Sequence, residues 1–135
     1  MATPDETPEA AISTPTKRCS GCHREVTLAL FTKKSQAKDG LESRCITCRA
    51  HDRRRSNYDL TPEDYLKMLF LQDARCAVCR TPMNELDRGL MVDHRHSDGL
   101  VRGLLCTHCN TGLGMMKDDP DMLRRAAQYL ELWEN

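Results

Sequence analysis

The chain has 135 residues, with 20 Lys and Arg balanced by 20 Asp and Glu, and eight cysteines. Leu, Ile, Val and Phe supply 24 residues, too few for one large apolar core, so the length divides into two small modules that something besides apolar burial must hold. A formal net charge of zero excludes a uniformly cationic polyelectrolyte binder and leaves only local patches to do such work.

Residues 1–16, rich in Thr, Pro and Glu, read as a disordered tail. They contain no apolar export segment, so the expected location is intracellular, in the host cytoplasm if the chain is viral, and not secreted. No run of about 18 apolar residues exists, which leaves no expected membrane span. Residues 17–58 carry 11 Lys and Arg against 4 Asp and Glu and read as a basic first module. In it "REVTLALF" is a strand-like centre, "AKDGLES" a turn and "CRAHDRRRSNY" a short helix. Arg53, Arg54 and Arg55 on that helix are candidate nucleic-acid backbone contacts, weighed against a plain solvated face.

Residues 59–135 form the second expected domain. "LTPEDYLKMLFLQD" predicts an amphipathic helix, with Thr61 as N-cap, Pro62 at the first helical position and Leu66, Leu69 and Phe70 sharing a buried face. "LMVDHRH", "SDG" and "LVRGLLC" predict a β-hairpin, followed by a short helix over "CNTGLGMMK". "DDPDMLRRAAQYLELWEN" predicts a last helix capped by Asp119, with Met122, Leu123, Ala126, Ala127, Leu130 and Trp133 as its buried stripe. The expected class is small α+β.

All eight cysteines fall in Cys-x-x-Cys pairs, separated by 22 residues in the first half and 26 in the second. This layout predicts two structural Zn²⁺ sites, one from Cys19, Cys22, Cys45 and Cys48, the other from Cys76, Cys79, Cys106 and Cys109. Iron suits the same sulfur cage. Disulfides would need an oxidising compartment, and a thioredoxin-type centre would need one such motif rather than four. His23, His51 and His108 read as surface or supporting residues, with His108 also a spare ligand.

The stretch "MVDHRHSDGLVRGLLCTHCN" carries further chemistry. Hairpin and helix, tied at their ends by the second zinc site, could bring Asp93, His94 and Asn110 together. A carboxylate and an amide oxygen suit a hard cation, Mg²⁺ or Mn²⁺, and an imidazole suits a general base near neutral pH. That combination fits phosphodiester hydrolysis, with Arg95, Arg102 and His96 as candidate phosphate contacts and Arg102 equally a candidate structural ion pair.

At these residues the sequence resembles the phage recombination endonuclease VII family, a branch of the HNH or His-Me finger nucleases. The motifs are "CAVC", "VDHRHSDGLVRGLLCTHCN" with "GLG" close behind, and "LRRAAQYL", over about Leu60 to Leu132. The resemblance implies a ββα-metal nuclease core with flanking helices, Cys76, Cys79, Cys106 and Cys109 on structural zinc, Asp93 and Asn110 on the catalytic ion, and His94 as general base. It also implies DNA as the partner, cut to leave a 5′-phosphate, with branched or recombination-intermediate DNA among the substrates and a homodimer as assembly. The first module resembles the zinc-ribbon segment that precedes such domains. Leu113 departs from the pattern, standing where the junction-resolving member carries an acidic residue. The expected function is a metal-dependent DNA endonuclease, an HNH-type endodeoxyribonuclease. The alternative is a non-catalytic zinc module that binds nucleic acid or protein.

Overall fold

The computed structural model describes residues 13–134, which form two compact units divided between Arg53 and Arg54. The expected tail lies for the most part at residues 1–12, outside the described residues. Its end is corrected: Pro15 accepts from the Leu28 N–H at 3.0 Å, and Thr16 already belongs to strand β1 (Thr16–Arg18).

In the first unit β1 pairs antiparallel with β2 (Glu25–Thr27), Lys17 opposite Val26. The strand expected over "REVTLALF" therefore stops after three residues. A 3-10 turn at Leu28–Leu30 redirects the chain and drops Phe31, 6% exposed, among Cys19, Cys45 and Cys48. The cysteines are most of this core, so the apolar run bends toward them instead of extending an isolated two-stranded ribbon. Gly40 makes the expected turn at a φ of +70°, which glycine adopts without a Cβ penalty. Helix α1 (Ile46–Tyr58) starts inside the second cysteine pair, as the sequence suggested for the basic segment.

In the second unit Thr61 caps helix α2 (Pro62–Leu71) in a reciprocal capping box with Asp64. The buried face differs from the expected one. Tyr65, Met68 and Leu69 pack on the core, whereas Leu66 and Phe70 are 62% and 82% exposed. The orientation is fixed by polar clips: the Tyr65 hydroxyl donates to the Leu90 carbonyl at 3.0 Å, and the Gln72 amide both donates to and accepts from the Leu104 backbone at 2.9 Å. Sequence periodicity ranked residues by apolarity, and these hydrogen bonds rotate the helix by one position.

Strands β3 (Met91–His94) and β4 (Val101–Leu105) form the expected hairpin, and helix α3 (Thr107–Met115) packs back on β3. Val92, Leu104, Leu105, Leu90 and Tyr65 build the core with Cys76 and Cys106. Helix α4 (Pro120–Glu131) starts at its Asp119 cap as predicted, but its stripe is only partly covered: Met122, Leu123 and Ala126 are half-buried, whereas the rest is exposed. Leu130 and Trp133 are 62% and 76% exposed, because the small core ends before the helix does. The class is small α+β, with a β-β-α order in the second unit.

Candidate functional site

Each unit builds one cysteine cluster by the same local device. The first pair lies on a tight knuckle. The residue after it, His23 or Arg80, takes a left-handed φ of 58° or 63° and the chain closes with N–H bonds from His23 to the Cys19 carbonyl and from Arg80 to that of Cys76. The second pair opens a helix, α1 or α3, whose N-terminal N–H groups favour negative sulfur. Within each set the sulfurs all lie within 4.8 Å of one another.

The clusters fit a metal. Four sulfurs about 2.3 Å from one tetrahedral ion stand about 3.8 Å apart, and the Cys19–Cys48 and Cys79–Cys106 sulfur separations are both 3.8 Å. The Cys45 N–H donates to the Cys19 sulfur at 3.2 Å and the Cys106 N–H to the Cys76 sulfur at 3.4 Å. Backbone N–H groups, that of Cys45 first and then those of Cys22 and Gly21, hold Cys19 down to about 5, and the Thr81 hydroxyl holds Cys79 down to about 6. Burial instead pushes Cys48 and Cys109 up to about 12. A central cation removes that conflict by stabilising all four as thiolates. No histidine joins either cluster, so His108 is exposed surface on α3.

The second cluster fastens the two ends of the hairpin. Cys76 precedes it, Cys106 follows it directly, and Ala77 donates to the Leu104 carbonyl at 3.1 Å. Asp93 and His94 end β3, where the register slips: Asp93 faces Gly103 while His94 faces Val101. Arg102 is thus the extra residue of a β-bulge, a device that re-aims side chains beside functional sites. Its guanidinium grips Asp93 through Nε to Oδ2 at 2.7 Å and Nη2 to Oδ1 at 2.8 Å. Asp93, 7% exposed, is the one buried charged residue among the described residues, and this pair raises the already high Arg102 pKa further.

The His94 ring has two others nearby, with centroids 5.2 Å away at Tyr58 and 5.0 Å away at His96. Tyr58, at the end of α1, was not singled out in the sequence, since nothing local marks it as a neighbour of a residue 36 positions away. Asn110 is half-buried on α3, the helix packed against β3. Asp93 keeps acceptor capacity beyond the two bonds to Arg102, since a carboxylate has about four lone-pair positions. A carboxylate oxygen, like the amide oxygen that Asn110 carries on α3, is the donor type a hard cation takes.

The other candidates separate. Arg95 is closed onto Asp98 within the hairpin loop, with Nε to Oδ1 at 2.9 Å, and this pair holds the Asp98 carboxyl down to about 2. His96 is exposed and 3.9 Å from Asp118. Both line an open cleft with Ser97, Gly114, Lys117 and Asp118. On α1, Arg53 and Arg55 are exposed, while the Arg54 guanidinium stacks 3.5 Å over the Tyr65 ring, an intramolecular role. Asp118, missed in the sequence, also receives Arg102 Nη2 at 3.3 Å.

The recombination endonuclease VII family matches residues 51–132. Two phage proteins, each called Gene 59 protein, are similar over 117 residues: that of Mycobacterium phage D29 at 36% identity and that of Mycobacterium phage L5 at 33%. The matches cover 86% of this chain and 61% and 62% of those relatives, so the chain spans about three fifths of their length. Among solved structures, the beta-beta-alpha-Me type II restriction endonuclease Hpy99I is similar at 26% identity and a TM-score of 0.42, over 88% of this chain and 66% of that one.

Proposed function

The chain belongs to the recombination endonuclease VII family, and from that membership we propose that it is a divalent-metal-dependent DNA endonuclease of the HNH, or His-Me finger, type. The observation that carries the reading is the end of β3, where a buried carboxylate and an imidazole with two rings nearby occupy consecutive positions of a hairpin fastened by four cysteines. Asp93 and Asn110 would hold Mg²⁺ or Mn²⁺, which supplies Lewis-acid polarisation of the scissile phosphate. His94 takes the proton from the attacking water, and its neighbours Tyr58 and His96 limit the directions its ring can face. Zn²⁺ in the two clusters is structural on this reading.

The basic first unit and the exposed Arg53 and Arg55 are assigned to the DNA backbone, and the cleft beside His96 and Lys117 to a phosphate next to the cut. A second copy of the chain is the partner assigned to the uncovered face of α4. The phage relatives support action inside a host cell.

The deciding experiment incubates the zinc-loaded protein with supercoiled, linear and four-way-junction DNA, with and without Mg²⁺ or Mn²⁺, beside His94→Ala. Cleavage that needs the added ion and falls by roughly 10²- to 10⁴-fold in the variant, the range of a general base, is the expected result. Retention of DNA without cutting by either protein would replace the reading with that of a non-catalytic binding module.

A further inference from the structure

Arg102 stands in an unusual position for a residue beside a cation ligand. It engages both oxygens of Asp93, and the same Nη2 that lies 2.8 Å from Asp93 Oδ1 lies 3.3 Å from Asp118 Oδ2. The guanidinium is therefore shared between two carboxylates, and a small rotation of the side chain passes it from one to the other. Asp118 is held for that purpose by its backbone. Lys117 and Asp118 take consecutive left-handed φ values of 56° and 53°, costly for residues with a Cβ and a frequent mark of function. The Asp118 N–H is anchored to the Leu113 carbonyl at 2.9 Å, and its side chain is 19% exposed.

We propose that Arg102 is a displaceable counter-ion of Asp93 and that Asp118 is its second berth: guanidinium and divalent cation compete for one carboxylate, and Asp118 tips the competition toward the cation by receiving the guanidinium. This rests on the reading above that Asp93 is a cation ligand. A divalent ion and a guanidinium on the same buried carboxylate repel each other across a few ångströms at reduced dielectric, so the two occupancies oppose one another. Asp118 relieves the repulsion without returning the guanidinium to water. Arg102 is on this account a positioning residue, which keeps a buried carboxylate compensated and yields it on demand.

The test measures Mn²⁺ binding to the zinc-loaded full chain by electron paramagnetic resonance. Asp93→Asn sets the baseline and should abolish the tight site. Arg102→Gln should bind Mn²⁺ about tenfold more tightly than the unaltered protein and Asp118→Asn about tenfold less tightly, the scale of coupling between contacting charges. Asp118→Asn added to Arg102→Gln should have no further effect. Arg102→Lys, which keeps the charge but cannot take both oxygens as a fork, serves if Arg102→Gln loses its zinc and should also bind Mn²⁺ more tightly. Equal or weaker binding by both Arg102 variants would overturn the proposal and make Arg102 a strut that orients Asp93. An undiminished effect of Asp118→Asn in the double variant would overturn the role of Asp118. If Asp93→Asn binds like the unaltered protein, the cation reading itself fails, a result distinct from failure of the Arg102 variants alone.

Discussion

Residue types pointed to a candidate centre but not to its surroundings. Asp93, His94 and Asn110 could be proposed together because few other combinations near paired cysteines suit an oxygen-loving ion and a base, and the two cysteine clusters are legible because paired Cys-x-x-Cys spacing is the form that metal sites take. Arg102 on Asp93 and Asp118 on Arg102 are not, since a one-residue register slip decides which way Arg102 points, and the hairpin pattern does not encode it. Gly21 is similar. A Cβ there would lie 2.9 Å from the Cys48 sulfur and 3.0 Å from Arg44 Nε, and neither neighbour is near it in sequence. Gly21→Ala should thus push the first cluster open while leaving the second intact. Metal analysis of the purified variant should find the zinc content reduced from two ions per chain toward one. Two retained ions and unchanged zinc release to a chelator would show that the cluster accommodates the methyl group.

At the scale of elements, caps were more informative than stripes. Thr61 with Pro62, and Asp119 with Pro120, fix where α2 and α4 begin, because a cap satisfies particular N–H groups whatever the helix later packs against. Which face is buried depends on partners distant in sequence, and there the apolar pattern misled: Tyr65 is in the core and Phe70 is out. This difference has measurable weight. Tyr65→Phe removes the bond to the Leu90 carbonyl and should cost about 1 kcal/mol, and Tyr65→Ala roughly 3–5 kcal/mol, as the hydroxyl and then the ring are lost. Phe70→Ser should stay within about 0.5 kcal/mol of the unaltered protein. Urea unfolding of the zinc-loaded chain reads all three, and a Phe70→Ser cost as large as that of Tyr65→Ala would mean that α2 buries its other face.

For the whole molecule the question is whether its two small cores stand separately. Cys19, Cys45, Cys48 and Phe31 make one, and Cys76 and Cys106 with Tyr65, Leu90, Val92, Leu104 and Leu105 the other. Each is so small that a structural zinc ion in its cluster, on the order of 10 kcal/mol, would outweigh the few kcal/mol a core of this size supplies. Cys106→Ser removes a ligand at the junction of β4 and α3 and leaves three sulfurs to hold the hairpin ends. The second unit should then lose its fold, with zinc falling to one per chain and the amide signals of residues 54–134 collapsing to poor dispersion. Signals of the first unit should keep their positions, because its four ligands and Phe31 are untouched. Cys45→Ser should give the reverse pattern. Collapse of both units after either substitution would show one cooperative structure rather than two.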